Sequence, residues 1–578
     1  MQFSASPLLS MRLPMWRSKL LVFLVFSAFL VLAGRAFWIQ GPGNDFYHRQ
    51  GESRYERTVE MEATRGKILD RNGQVLATSL PVRAIWAIPE DGAGDSSASK
   101  LGELAKLLDM SENELKRKFN QKKNFVYIKR QVLPHVAKQI AKLGIPGLYQ
   151  RNEYKRFYPE GEIAAHILGF TNVEDIGQEG VELSMQKLLA ATPGRRRVIK
   201  DRLGRIVEGS DVLVSPRDGD DVVLSIDSKI QFLVYNELKA ALERTGAKAG
   251  SAIVLDANTG EVLALTNLPT YNPNNRSNLT GAQLRNRALT DTFEPGSIMK
   301  PFTVAAALER RYVTPNSLVL TEGRWTLNGA TITDTHDYGM LTVSGLIQKS
   351  SNIGIAKLAL QMKPQEMWDM LSGVGLGQAP QVGFPGAVAG RLRPAKSWRP
   401  IEQATIAYGY GLSASLIQLA RAYTIFAHDG RLLPISIYKT DGTDVRGEPV
   451  ISPLTARQVR KMLEMVTLPG GTAKKVQVIG YRVGGKTGTA YKHSGKGYDK
   501  SKYRASFVGM APMSDPRIIV AVMLDEPSRG SHSGGIAAGP VFGNIVGSTL
   551  RSLGVPPDSP VTQLVISGKA EESKPWVP

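Results

Sequence analysis

The chain has 578 residues, 42% of them hydrophobic, carries a net charge of +20 and contains no cysteine. That is enough apolar material for more than one core, and it excludes disulfides, thiolate metal sites and a cysteine nucleophile. Seven scattered histidines without a His-Glu-x-x-His pair argue against a metal enzyme, and no zinc-finger, RNP-like or basic-zipper pattern speaks for nucleic acid.

From the N-terminus, Arg12, Arg17 and Lys19 precede an apolar run from Leu20 to Ile39 that only Arg35 interrupts. Twenty helical residues span roughly 30 Å, about one hydrocarbon core. The run predicts an uncleaved single-pass anchor; a cleaved signal peptide with Gly34-Arg35-Ala36 as its small-x-small site is the competing reading. The basic flank predicts a cytoplasmic N-terminus with the bulk exported. The basic surplus fits either a solvated surface or attraction to an anionic cell-envelope polymer.

After the anchor, Lys67 to Ala77 predicts a hairpin around Asn72-Gly73. Ser99 to Leu108 and Glu112 to Phe119 predict amphipathic helices, and Gly92 to Ser99 a loop. Arg195-Arg196-Arg197 with Lys200 reads as a solvated basic face. Nothing before residue 220 groups a nucleophile, a base and oxyanion donors, so this part reads as a structural or docking module.

A second unit starts near Asp220. Val222 to Ile226 predicts a strand and Ser228 to Arg244 a helix with an apolar stripe. Ala252–Leu255 and Val262–Leu265 predict a hairpin around Asn258-Thr259-Gly260. Ala505–Met510 and Ile518–Leu524 predict two more strands. One sheet therefore draws strands from both ends of this unit. The tail from Pro556 reads as loose.

Three short motifs stand in order within it: Ser297-Ile298-Met299-Lys300, Ser350-Ser351-Asn352 and Lys486-Thr487-Gly488. Ser-x-x-Lys alone recurs at Ser97, Ser184 and Ser436, so the ordered trio carries the signal. Ser297 is predicted to open a helix as its N-cap, with Pro301 in the first turn and Lys300 on the same face. A serine hydroxyl needs a base, and a lysine that is buried beside another cation can serve; Lys486 supplies that cation. The glycines around Lys486 suit an edge strand that a substrate backbone approaches closely. Lys486 and Thr487 can bind a carboxylate, and the backbone N–H groups of Ser297 and Thr489 can form an oxyanion hole. Ser350 can relay a proton and Asn352 can hold a substrate amide. The same triplet also reads as the cap of a helix from Ile353 to Leu360.

Together with Arg65 to Gly73, Arg156-Phe157-Tyr158-Pro159 with His166 and Gly169, Gly177 to Glu182, Phe293 to Pro301, Lys349 to Gly354, Tyr408-Gly409-Tyr410-Gly411, Gly485 to Ala490, Ser506 to Gly509 and Gly534 to Phe542, these motifs resemble the class B penicillin-binding proteins. Within them the chain is similar to the septal division transpeptidases of the penicillin-binding protein 3 type. One departure is Ala387 after Phe384-Pro385-Gly386, where many relatives carry an acid.

The resemblance implies a multidomain α/β (α+β) protein. Its parts would be a cytoplasmic N-terminus (1–19), an inner-membrane anchor (20–39), a non-catalytic pedestal of the dimerisation type (40–220), a periplasmic transpeptidase domain with a central antiparallel sheet flanked by helices (221–555), and a tail (556–578). It implies a D-Ala-D-Ala transpeptidase that cross-links peptidoglycan stem peptides through a serine acyl-enzyme and is acylated by β-lactams. Ser297 would be the nucleophile, Lys300 its base, Ser350 the relay and Asn352 a substrate ligand. Lys486, Thr487, Gly488 and Thr489 would line the carboxylate site. No cofactor is implied. The implied partners are a glycan-polymerising membrane protein and other division proteins. An elongation-type class B enzyme is the alternative; a β-lactam receptor or a β-lactamase lies further off, the latter because no Glu-x-x-Leu-Asn segment supplies a base for water.

Overall fold

The computed structural model describes residues 15–41, 56–91, 94, 96–121, 125–200, 206–442, 445–493, 495 and 497–560. The expectations for residues 1–14 and most of the tail fall outside them. The chain divides into two units, one formed by residues up to 63 with 191–218, the other by 64–190 with 219 onward.

In the first unit, Met15–Gln40 is one helix that contains the whole predicted apolar run and buries none of its residues within the protein. Its length and composition fit a single-pass membrane anchor. Strands Glu56–Met61, Gly194–Lys200 and Ile206–Val214 form an antiparallel sheet in that order. Arg195, Arg196 and Arg197 are exposed on it, as a solvated face requires.

In the second unit, the hairpin around Asn72-Gly73 forms between Ile68–Leu69 and Val75–Ala87. Asp70 holds its turn, Oδ1 accepting from the backbone N–H of Asn72 and of Gln74 at 2.8 Å. The other oxygen accepts from Ser228 Oγ at 2.9 Å, seating the hairpin on the start of the next helix. The predicted helices form as Ala98–Leu107 and Glu112–Phe119, closing a small core around Ile85, Leu104, Leu115 and Ile128. Three residues of the recognised motifs meet in a buried knot. Glu182 accepts from Arg65 Nε at 2.6 Å and from Arg156 Nε at 2.7 Å. Removing one partner of such a buried set would strand a charge, typically a loss of ~3–5 kcal/mol.

The predicted strand Val222 to Ile226 is a correction: only Val222–Val223 is a strand, parallel to Ile68–Leu69. Ser225 ends it by turning its hydroxyl onto the carbonyls of Val262 and Ser436. Helix α1, Ser228–Thr245, follows, capped by Asp227, whose carboxylate accepts from the N–H of Lys229 and Ile230. Strands β1 (Ala249–Asp256) and β2 (Val262–Leu268) form the predicted hairpin. Helix α2 is Lys300–Glu309, α3 is Val343–Lys349 and α4 is Asn352–Ala359. Strands β3 (Gly484–His493), β4 (Tyr498–Ala511) and β5 (Ile518–Asp525) complete an antiparallel sheet ordered β2-β1-β5-β4-β3. Helix α5, Gly539–Ser552, packs beside α1 against it. Sheet strands thus come from both ends of the unit, and β3, bearing Lys486-Thr487-Gly488, is an edge. Central β1 and β5 are buried along almost their whole length, which is why they read as unbroken apolar runs.

Candidate active site

The serine turn sits between the edge strand and the deeply buried helix α2. Ser297 does not cap α2. It lies in a 3-10 turn, Gly296–Met299, and α2 begins only at Lys300 with Pro301 in its first turn. The predicted N-cap role is therefore corrected. Gly296 takes φ 59° and donates to Gly409 O at 3.1 Å. That tightens the backbone one residue before the serine. From beneath, buried Tyr423 donates to Ile298 O at 2.9 Å. Helix α2 is enclosed from Lys300 to Leu308, which matches a sequence apolar on every side.

Two close approaches explain glycines in the motifs. A Cβ at Gly409 would stand 2.1 Å from Gly296 O, so only glycine lets the Tyr-Gly-Tyr-Gly segment reach the serine turn. A Cβ at Gly488 would lie 2.4 Å from Ser506 Oγ and 2.9 Å from Ile298 Cγ1, so glycine lets β3 lie close against the serine turn. Gly296 in turn faces the Thr489 backbone, with a virtual Cβ 3.4 Å from Thr489 O. The two backbone segments expected to supply oxyanion donors are neighbours. Thr489 Oγ1 accepts from Gly534 N at 2.9 Å, anchoring a glycine pair that also belongs to the recognised motifs.

Lys300 and Lys486 are both fully buried and both donate to one atom, Ser350 Oγ, at 3.1 and 2.9 Å. Lys300 also donates to Ser350 O at 2.5 Å and to Asn352 Oδ1 at 2.8 Å. Lys486 Nζ reaches Thr487 Oγ1 at 3.3 Å, and that hydroxyl pairs with Thr472 Oγ1 at 3.2 Å. Burial, then the charge of Lys486, holds Lys300 well below the usual lysine range, with Asp334 pulling weakly the other way. Burial pushes Lys486 down to about 7. Two ammonium groups sharing one hydroxyl in a dry site disfavour double protonation, so near neutral pH the pair readily offers one free amine.

The Ser297 hydroxyl is half-buried and makes no hydrogen bond among the described residues. The three motifs do converge, but the ammonium of Lys300 rests on Ser350 and Asn352 rather than on Ser297. Asn352 has both ends of its amide engaged, Oδ1 by Lys300 and Nδ2 on Thr333 O at 2.9 Å.

Sequence reasoning missed one residue here, Asp334. The helix cap expected in the triplet Ser350–Asn352 is Ser351, whose Oγ accepts from Gly354 N at 2.9 Å. Ser350 instead takes a left-handed φ of 61° between α3 and α4, a strained conformation for a non-glycine residue that aims its hydroxyl at the lysines. Asp334 holds this turn, accepting from Ser351 Oγ, from Asn352 N at 2.5 Å and from Ile353 N at 3.2 Å. No motif flags it, because it stands 18 residues before Asn352 on a different strand-to-loop junction. Asp334→Asn is expected to slow acylation by a β-lactam about tenfold, since ~1.5 kcal/mol is the low end for a hydrogen bond to a charged group. It should also move the pH–rate profile to lower pH, because the carboxylate charge raises the Lys300 pKa. Stopped-flow acylation across pH checks both; an unmoved profile means Asp334 acts only as a structural brace.

A hydroxyl at the edge of an antiparallel sheet, with two buried, proton-poor lysines alongside, is the arrangement of a serine acyl-transferring enzyme. Comparison with known proteins agrees. Residues 250–547 match the penicillin binding protein transpeptidase domain and residues 60–224 the penicillin-binding protein dimerisation domain. The chain is 42% identical to the peptidoglycan D,D-transpeptidase FtsI of Escherichia coli strain K12, over 95% of this chain and 93% of that one. It is 43% identical to a protein of Neisseria gonorrhoeae named "Probable peptidoglycan D,D-transpeptidase PenA", over 93% of both chains. The transpeptidase-domain structure of Burkholderia pseudomallei penicillin-binding protein 3 superposes with a TM-score of 0.55 at 62% identity, covering 58% of this chain and 98% of that one. The chain belongs to the class B penicillin-binding protein transpeptidase family.

Proposed function

We propose that the protein is a peptidoglycan D,D-transpeptidase that cross-links stem peptides of the septal cell wall and is acylated at Ser297 by β-lactams. The observation that carries this reading is the bridge from Lys300 through Ser350 Oγ to Lys486, beside the serine turn. The septal assignment rests on the likeness to proteins named FtsI.

In this reading neutral Lys300 takes the Ser297 proton as Oγ attacks the penultimate D-Ala carbonyl carbon. The N–H groups of Ser297 and Thr489 hold the oxyanion. Its collapse breaks the C–N bond, and the departing D-Ala amine receives a proton relayed through Ser350. The acyl-enzyme is then attacked by an acceptor amine from a second stem peptide, whose proton leaves by the reverse path. Thr487, Gly488, Thr489 and the Lys486 charge receive the terminal carboxylate along β3. Asn352 acts first by fixing Lys300. The N-terminal helix anchors the chain in the inner membrane with its basic flank cytoplasmic and the catalytic domain periplasmic. The module before residue 220 serves as pedestal, and the partners are a membrane-embedded glycan polymerase and other division proteins.

Purified full-length protein given a donor peptide ending in D-Ala-D-Ala and an amine acceptor should release D-Ala and form the cross-linked dimer, read by mass spectrometry. Hydrolysis without any cross-linked product overturns the transpeptidase reading. A tagged copy at midcell of dividing cells supports the septal role; a lateral-wall pattern overturns it. Lys486→Ala should weaken substrates that carry the terminal carboxylate at least tenfold more than carboxylate-free esters, the size of a lost charge-assisted contact. It should also move the acylation profile to higher pH, because the Lys486 charge depresses Lys300. Equal losses on both substrates would refute the carboxylate role.

A further inference from the structure

A polar cavity of about 180 Å³ lies between the end of the strand Leu148–Phe157, the segment Thr171 to Val173 and the loop Pro273 to Arg276. None of the residues assigned above to nucleophile, base, relay or carboxylate site lines it. Two of its lining residues, Arg156 and Tyr158, belong to the motif Arg156-Phe157-Tyr158-Pro159, which acyl transfer does not use.

Three cations line this cavity, Lys155, Arg156 and Arg276, and no acid does. Arg156 is only 5% exposed. Its Nε is spent on Glu182, and Nη1 reaches Ser79 Oγ at 3.3 Å. Its Nη2 is buried without a partner among the described residues. A guanidinium nitrogen left so is costly, and an acceptor in the cavity satisfies it. Glu182 also serves Arg65, so one carboxylate faces two guanidinium groups. Asp175 offsets part of that excess, but burial holds its carboxyl above the usual range and it does not line the cavity. Lys155 is half-buried and has no hydrogen-bond or ion-pair partner among the described residues. Arg276 donates from Nη1 to Pro273 O at 2.8 Å and from Nη2 to Thr171 O at 3.1 Å. Both acceptors are neutral, so they fix the guanidinium without cancelling its charge. Two amides add donors. Asn172 Oδ1 accepts from the N–H of Glu174 and of Ile176, and Asn275 Oδ1 accepts from Ser277 Oγ at 2.9 Å. With its oxygen occupied, each keeps its NH2 group to donate.

A lining of cations and spare donors calls for an anion. A carboxylate offers one planar edge, whereas these donors come from three separate segments. A tetrahedral oxyanion meets them from several directions and carries more charge. The volume suits one such group rather than several residues of chain. From these observations we propose that the cavity binds a phosphate group, which takes Lys155 Nζ and the spare Arg156 Nη2 as donors beside the charge of Arg276. Bound there, it ties the strand Leu148–Phe157 to the loop Pro273 to Arg276. The group is free inorganic phosphate or the ester phosphate of a headgroup.

The test is calorimetric titration of the full-length protein in detergent, at constant ionic strength in a phosphate-free buffer, with inorganic phosphate, glycerol 3-phosphate and acetate. At least one of the two phosphate probes should bind tenfold or more tightly than acetate, and the tighter of the two identifies the source. Lys155→Glu should erase that preference. Arg276→Gln, which keeps a hydrogen-bond donor without the charge, should reduce it several-fold. Neither change touches the buried Glu182 knot, and labelling by a fluorescent penicillin should stay unchanged in both. Lys138→Ala, an exposed lysine that does not line the cavity, should leave the preference intact. Acetate binding as tightly as phosphate, no binding of either phosphate probe, a preference that survives Lys155→Glu, or one lost equally in Lys138→Ala would overturn the proposal.

Discussion

Replacing Ser297 by alanine is expected to reduce covalent labelling by a fluorescent penicillin to background while the protein folds as before. The hydroxyl makes no hydrogen bond among the described residues and is half-buried, so its loss creates no orphaned partner and almost no cavity. Substitutions of that kind stay within about 0.5 kcal/mol, which in a protein of this size is a melting shift of about 2 °C or less. Of the other hydroxyls beside the lysines, Ser350 is occupied by both of them and held in a left-handed turn, and Thr487 pairs with Lys486 and Thr472. Intact-mass spectrometry after β-lactam treatment distinguishes full loss from slow labelling. A persisting adduct on the alanine variant would dismiss Ser297 as nucleophile.

Removing the Lys300 amine is expected to have the next largest effect, a fall in acylation of about 10²–10⁴-fold, the range for a positioned general base. The wild-type rate should show the matching pH dependence. Only the neutral amine accepts the Ser297 proton, so the rate rises with pH while Lys300 is still protonated and flattens once it is free. Because burial and Lys486 hold its pKa well below 10.5, the plateau is reached far earlier than for an ordinary lysine. Lys300→Ala should lose this rise along with the rate. Its folding needs a separate thermal measurement, because the change leaves Ser350 O and Asn352 Oδ1 without their donor. A variant that folds yet keeps both rate and pH profile would move the base to another group.

How much of this was legible beforehand depends on how local each feature is. The membrane-length run, α1, the hairpin of β1 and β2, and strands β4 and β5 follow from apolar periodicity and turn residues that neighbour one another along the chain. The serine, the lysines and the edge-strand glycines were recognisable because their motifs are short and ordered. The capping argument failed at the serine turn. Ser297 looked like an N-cap, but Gly296, anchored by Gly409, draws it into a 3-10 turn. The cap expected within the triplet Ser350–Asn352 did form, through Ser351 held by Asp334.

The sequence by itself therefore determined the membrane-length run, the locally coded elements α1, β1, β2, β4 and β5, the family they belong to and the side chains chemically able to transfer an acyl group. Only the tertiary structure decided what those side chains are. Lys300 and Lys486 meet at Ser350, 50 and 136 residues away along the chain, with both ammonium groups buried. Proton affinity depends on desolvation and on the nearest charges, and both come into being only when distant segments pack together.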